Sequence, residues 1–143
     1  MNQPRTADEL IAQVAGDLRD RGERMTAARR CVLTALATTP GHLSAEDIHN
    51  RMGGEVPASS VYRALETLSR LGVVQHIHLG HGATAYHLHD GEGAHLHVEC
   101  RTCGAVLDLP AGLLDPVVEQ LDTVGFTLEP AHTALSGRCA DCR

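Results

Sequence analysis

Four of the five cysteines form two pairs, and two residues separate the members of each pair. The pairs are Cys100 with Cys103 and Cys139 with Cys142. One tight turn can direct both thiolates of such a pair at the same ion, and two pairs complete the closed tetrahedral site of structural zinc. The spacing therefore predicts one structural zinc site formed by all four thiolates.

Two disulfides, a redox dithiol and a deaminase centre are the alternatives for these cysteines. Disulfides need an oxidising compartment, and residues 1–5 lack the apolar run of a signal peptide. Neither pair opens a helix after a strand, as a thioredoxin-like motif would. A deaminase needs its His-x-Glu well upstream of a Pro-Cys-x-x-Cys, and no proline precedes either pair. Cys31 lies in an apolar helical pattern and is predicted to be a buried small hydrophobe.

Histidines are the second group of possible metal ligands. Three His-x-His pairs occur among the ten histidines, namely His76/His78, His87/His89 and His95/His97. Alternate residues of a strand share a face, so each pair can present two imidazoles together. A single pair is also common on a solvated strand, whereas three pairs favour a regulatory metal site. Sites rich in imidazole and poor in carboxylate suit nickel, zinc, copper or iron rather than manganese or magnesium.

Four helices and a β-hairpin must position these residues. Apolar periodicity and capping residues predict helices over 7–21 and 27–37, a short helix from Ser44, and a helix from Pro57 to Gly72. The period then changes to two over 73–79 and 83–89, on either side of a Gly-His-Gly turn. This order is typical of a winged helix-turn-helix, whose last helix enters the major groove of DNA. The start of that helix carries the predicted DNA contacts Ser59, Ser60, Tyr62 and Arg63.

The remaining residues predict a small α/β unit. A polar stretch over 90–93 is the expected hinge, followed by strands over 95–100 and 105–109, a helix over 111–124 and a strand over 126–137. We therefore predict an α+β chain with a winged-helix DNA-binding domain over 1–89 and an α/β dimerisation domain over 94–143. A two-fold homodimer is the expected assembly.

The charge distribution also separates two halves. Residues 1–72 carry nine Arg and nine Asp/Glu, whereas residues 73–143 carry three Arg and nine Asp/Glu, which accounts for the whole net charge of -6. All basic residues are Arg, which favours forked contacts to phosphate or guanine. No apolar run reaches the length of a membrane span. We expect a soluble, cytoplasmic protein without a membrane partner or a small-molecule substrate.

Over nearly its whole length the sequence resembles the ferric uptake regulator (Fur) family of metal-dependent repressors. The matching motifs are Met25-Thr-Ala-Ala-Arg29, His42-Leu-Ser-Ala-Glu46, Ser60-Val-Tyr-Arg63, His95-x-His97 and both cysteine pairs. The resemblance implies a double-stranded palindromic operator, with bases read by Tyr62 and Arg63 and the backbone or minor groove contacted by Arg24 and Arg29. It also implies a regulatory metal site formed by His42, His87, His95 and His97. His87 stands where relatives often have a carboxylate or Cys, which disfavours a peroxide sensor.

The wing is similar to that of the nickel uptake regulator subgroup. That likeness implies a nickel site formed by His76, His78 and His132, with zinc or iron as the alternative signal. The chain departs from the family at Gly93, where a regulatory ligand is missing and where His87 or His89 can substitute. Ala94 and Leu96 remove two ligands of an additional site, so that site is expected to be absent or weak although Asp115 and His132 remain. The sequence does not decide whether His81 or His89 binds metal.

Two other classes of function compete with a repressor. A zinc-dependent enzyme would need an open metal position and a general base, and Glu99 is the obvious candidate. A metal buffer or chaperone would bind the same ions without binding DNA. We expect no enzymatic activity.

Overall fold

The computed structural model describes residues 6–78, 84–89, 95–129 and 133–143. Contacts divide them into two compact units. The first contains the described residues up to His76 together with Ala85–His89, and the second contains the other described residues. The predicted hinge over 90–93 lies outside the described residues, so the domain boundaries given above stay a prediction.

Four helices build the first unit, as the sequence predicts. They are α1 (Ala7–Asp20), α2 (Ala27–Thr38), α3 (Ala45–Arg51) and α4 (Ala58–Arg70). The first three begin at hydroxyl caps: Thr6, Thr26 and Ser44 each accept a hydrogen bond from a backbone N–H of the first turn. Helix α4 begins at Pro57 without a side-chain cap, and Gly72 follows its end with φ 73°.

The apolar stripes of these helices form one core. Helix α4 packs on α2 and α3, and α1 packs on α2. Leu18, Val32, Ile48, Leu65 and Leu68 are fully buried there. Cys31, which was predicted to be buried, is half-buried against this core, and burial raises the pKa of its thiol.

A three-stranded sheet accompanies the helices. Its strands are β1 (Leu43–Ser44), β2 (Val74–His78) and β3 (Thr84–Leu88), in the order β1-β3-β2. The two predicted wing strands are confirmed over 74–78 and 84–88, and residues 73 and 89 are not part of them. Residues 79–83, which include the Gly-His-Gly turn, lie outside the described residues. Strand β1 was not predicted, because a strand of two residues is too short to show an alternation of apolar and polar residues. The helices and wing form the predicted winged-helix arrangement.

The second unit is a three-stranded sheet with one helix. Its elements are β4 (His95–Cys100), β5 (Val106–Pro110), a 3-10 helix (Ala111–Leu114), α5 (Asp115–Thr123) and β6 (Ala134–Gly137). Strand β4 lies in the centre, antiparallel to β5 and parallel to β6. The predicted α/β unit is therefore confirmed, with the last strand placed against the first.

For two elements of this unit, the boundaries predicted from the sequence were wrong. The predicted helix over 111–124 is a 3-10 turn followed by α5, because Pro116 near the start of α5 lacks the N–H that a continuous α-helix would need there. The predicted strand over 126–137 is confirmed only over 134–137, and residues 126–129 are irregular. Pro130 cannot donate to a sheet ladder, which is a sequence signal against one long strand. Among the described residues, no helix is both long and apolar enough to cross a membrane.

Candidate metal centres and nucleic-acid interface

The four paired cysteines converge at one end of the second unit. Cys100 ends β4, Cys103 lies in the turn that follows, and Cys139 and Cys142 come after β6. Parallel pairing sets Cys100 beside Gly137, so the two cysteine turns meet. All four Sγ atoms lie within 4.8 Å of one another, and those of Cys103 and Cys139 are 3.8 Å apart.

This geometry fits a tetrahedral zinc site. Zn–S bonds of about 2.3 Å place the sulfurs of a regular tetrahedron about 3.8 Å apart. The thiols have also been brought together without forming a disulfide. The structure therefore brings all four predicted zinc ligands together at sulfur–sulfur distances that suit a tetrahedral zinc ion.

Backbone amides already favour one thiolate of this cluster. The N–H of Cys139, followed by those of Cys103 and Thr102, lowers the pKa of Cys100 to about 6. In contrast, hydrogen bonding to the thiols of Cys139 and Cys103 raises the pKa of Cys142 to about 12. Four thiols this close repel one another as thiolates, so a divalent cation supplies the charge that lets all four ionise.

A pair of imidazoles forms the second candidate centre, in the first unit. Strand β1 pairs with β3 so that Leu43 faces Tyr86, and this register brings His42 beside His87. Their ring centroids are 4.7 Å apart with an interplanar angle of 66°. His87 is buried and His42 is half-buried. Two neighbouring imidazoles shielded from water are suitable ligands for a borderline-soft divalent metal.

The other two predicted regulatory ligands lie together in the second unit. His95 and His97 alternate along β4, and their ring centroids are 5.5 Å apart. His97 is 2% exposed, and its Nδ1 lies 2.7 Å from Oδ1 of Asp108. A carboxylate at Nδ1 favours the tautomer that carries its proton there, in which Nε2 is the nitrogen that can bind a metal.

Sequence reasoning missed Asp108. The register of β4 against β5 places Asp108 directly opposite His97. The sequence offered one indication of this contact. If the predicted strands over 95–100 and 105–109 form an antiparallel pair joined by a tight turn, residues 97 and 108 lie opposite each other. Asp108 is either a support for His97 or a carboxylate ligand beside it.

The predicted wing site is described only in part. His76 and His78 lie exposed on one face of β2. The His78 ring nitrogen Nδ1 is 3.1 Å from the Thr84 hydroxyl, and the His76 ring lies 6.1 Å from that of Tyr86. His132 and His81 lie outside the described residues, as do Gly93 and Ala94; His89 is exposed after β3, and Asp115 begins α5.

Helix α4 presents the predicted DNA contacts at its N-terminal end. Val61, Ala64, Leu65 and Leu68 bury one face of the helix in the core, and the residues of the opposite face are exposed. Tyr62 is 58% exposed, and Ser59 and Arg63 are also exposed, while Ser60 is half-buried. The absence of a side-chain cap leaves first-turn amides that can donate to phosphate.

The two additional arginines differ from each other. Arg24 is exposed in the loop before α2. Arg29 is 15% exposed, and its guanidinium donates to Glu23, to the carbonyl of Arg24 and to the Thr67 hydroxyl. Its side chain therefore joins α2 to α4 inside the first unit.

Comparisons with known proteins agree with this architecture. The model of the ferric uptake regulator family matches residues 20–133. The ferric uptake regulation protein of Bacillus subtilis is 31% identical over 142 residues, covering 94% of this chain and 95% of the relative. The structure of the Helicobacter pylori ferric uptake regulator superposes with a TM-score of 0.79 at 19% identity, covering 99% of this chain and 97% of that one.

A zinc uptake regulator complexed with zinc and DNA is also similar. It has a TM-score of 0.65 at 26% identity and covers 96% of this chain and 95% of that chain. Members of this family are DNA-binding transcription regulators and not enzymes, which removes the catalytic role considered for Glu99. The chain belongs to the ferric uptake regulator family and is a metal-responsive transcription regulator.

Proposed function

We propose that this protein is a cytoplasmic repressor of metal uptake and homeostasis genes that binds a palindromic operator as a homodimer when its regulatory site is loaded. The observation that carries the proposal is the His42–His87 pair, held 4.7 Å apart by the β1–β3 register in the same unit as the exposed face of α4. Ligands and DNA-reading residues therefore share one folded unit. Metal binding can then alter how that unit is presented to DNA.

Cys100, Cys103, Cys139 and Cys142 would hold a structural zinc ion. The support is the sulfur cluster within 4.8 Å and the match of its 3.8 Å edge to a tetrahedron. Zinc there would fix β6 to β4 and stabilise a unit whose described residues bury few apolar side chains.

His42, His87, His95 and His97 would form the regulatory site. The proposal is that ligands from the two units bind one ion, which selects a single arrangement of the DNA-binding and dimerisation domains. In that arrangement the two recognition helices of a dimer reach successive major grooves. The burial of His87 and His97 supports a site that excludes water, and Asp108 would orient His97.

Nickel is the effector that we propose, with His76, His78 and His132 forming the wing site. The support is the exposed pair on β2 and the preference of tetragonal nitrogen sites for nickel. Zinc and iron are the competing effectors, since similar proteins include a ferric uptake regulation protein and a zinc uptake regulator bound to zinc.

Tyr62, Arg63, Ser59 and Ser60 would contact the operator, with Arg24 on the adjacent backbone. Arg63 can form a bidentate pair with guanine, and Tyr62 can contact a thymine methyl. The family resemblance also implies that Arg29 contacts DNA. Its burial and its three acceptors instead favour a structural role, in which it joins α2 to α4.

The homodimer is supported by apolar surface on the second unit. No α5 residue is buried, although this amphipathic helix carries several aliphatic side chains. Among the described residues of this unit, the exposed large hydrophobic ones are Leu107, Leu113, Val117, Val124, Phe126 and Leu135. Surface of this kind is typical of an interface that a second copy covers.

An operator selected from a random duplex pool tests the proposal. The zinc-loaded protein is titrated with nickel, zinc, iron and manganese in turn, and operator affinity is measured by fluorescence anisotropy. We expect nickel to restore binding at the lowest free concentration and His76→Ala to weaken that response. Restoration by zinc alone, with no effect of His76→Ala, would refute nickel; failure of every metal to change operator affinity would refute the repressor.

A further inference from the structure

Glu23, in the loop between α1 and α2, binds two arginines at once. Its Oε2 lies 2.6 Å from Nη2 of Arg29, and its Oε1 lies 2.8 Å from Nη2 of Arg70. Arg29 belongs to the first turn of α2, and Arg70 is the last residue of α4. One carboxylate therefore contacts cations from two helices that also pack on each other.

The two arginines depend on Glu23 to different degrees. Arg29 is 15% exposed and has further acceptors in the Arg24 carbonyl and the Thr67 hydroxyl. Arg70 is 67% exposed, and Glu23 is its ion-pair partner in the described part of the chain. Removing the carboxylate charge would leave Arg29 in place and would release Arg70 into solvent.

Arg70 lies on the same face of α4 as Arg63. Seven residues are nearly two helical turns, so the two side chains are aligned about 10.5 Å apart along the axis. Both line one groove between α4 and the start of α2. This spacing is close to the width of the major groove, about 12 Å, so a side chain at Arg70 can reach backbone phosphates when Arg63 reads a base.

We propose that Glu23 holds Arg70 away from DNA phosphates and so limits the sequence-independent part of DNA affinity. Phosphate contacts raise affinity for every sequence alike, whereas base contacts distinguish the operator. The first 72 residues carry equal numbers of arginines and acidic residues, so loss of one carboxylate charge makes this segment net positive. This inference rests on the proposed role of α4 in DNA reading.

The test measures binding of the metal-loaded, full-length protein to a fluorescent duplex of scrambled sequence over a salt titration. For Glu23→Gln we expect roughly fivefold to tenfold tighter binding at about 0.1 M salt and a salt slope steeper by about 0.9, the value of one added phosphate contact. Operator affinity should rise by a similar factor, so the ratio of operator affinity to scrambled-duplex affinity should stay the same.

Asp17→Asn is the matched control. Asp17 is an exposed carboxylate on α1 in the same unit, and no ion pair of it occurs in the described residues. It makes the same charge change, and we expect less than roughly a twofold effect on affinity. Equal affinities and slopes for the two variants would overturn the inference.

The Arg70→Gln background isolates the proposed route. Arg70→Gln alone should bind the scrambled duplex like the wild type, and adding Glu23→Gln should then change nothing. A gain that persists without Arg70 contradicts the inference. If the wild type binds no duplex under any metal condition, the proposed function itself fails; wild-type binding with no effect of Glu23→Gln defeats the inference alone.

Discussion

Replacing Cys103 with serine should unfold the second unit while the helices of the first unit remain intact. Cys103 lies at the surface of the cysteine cluster, so the substitution removes little packing. It removes one of four sulfurs that lie within 4.8 Å of one another, and serine has no thiolate to replace it. The effect therefore reports on metal binding rather than on side-chain burial.

The expected magnitude follows from the small core of this unit. The described residues of this unit bury three aliphatic side chains, those of Ile77, Leu96 and Leu114. Three such side chains contribute about 5–9 kcal/mol. A structural zinc ion contributes about 10–16 kcal/mol of folding free energy. Loss of the ion is thus larger than the whole apolar contribution, and the unit should not remain folded.

Zinc content and amide hydrogen exchange measure this outcome. Wild type should keep one zinc per chain through gel filtration with a weak chelator, and Cys103→Ser should keep none. Exchange protection should disappear from β4 and β6 and persist in α2 and α4. Cys31→Ser, in the first unit, is the control and should keep both zinc and protection. Stoichiometric zinc together with protected β6 amides in Cys103→Ser would refute the reasoning.

Three further predictions concern the first unit. Ser44→Ala removes the cap of α3 and should lower the free energy of unfolding by about 1 kcal/mol at neutral pH. The Ser44 hydroxyl and N–H hold the pKa of Asp47 below its ordinary value, so the part of the deficit that comes from the contact between the Ser44 hydroxyl and the Asp47 carboxylate exists above about pH 4 and is lost as the pH falls further; urea titrations in which the deficit does not shrink at acid pH would contradict it. Arg63→Ala should weaken operator binding by about 1–3 kcal/mol and relax one base preference, whereas equal losses on scrambled duplex would indicate a phosphate contact. Leu65→Ala empties a fully buried position between helices and should cost about 2–5 kcal/mol in the same titrations; a loss below about 1 kcal/mol would mean that this core is not well packed.

Features encoded locally could be predicted from the sequence. The cysteine pairs fix their own turns, and hydroxyl residues mark the starts of α2 and α3, so these features were predicted at the right positions. The change of period after Gly72 located the wing for the same reason. In each case the informative residues lie within one turn or one strand.

Features that depend on pairing of distant segments could not be predicted. Strand β1 exists because its two residues pair with β3, which lies far along the chain. The contact of Glu23 with Arg70 spans 47 positions of sequence. In contrast, the break in the predicted helix over 111–124 could have been predicted from the sequence, because Pro116 cannot supply the N–H that a continuous helix requires.

The central claim is that an ion bound by His42 and His87 controls DNA binding, and one measurement tests it most directly. Operator affinity is measured for wild type, His87→Ala and His49→Gln, each with and without the effector metal and with the cysteine site loaded throughout. We predict that metal raises wild-type and His49→Gln affinity by about 5-fold to 150-fold, the usual range of allosteric coupling, and leaves His87→Ala unchanged. An equal metal response in His87→Ala and wild type would contradict the account.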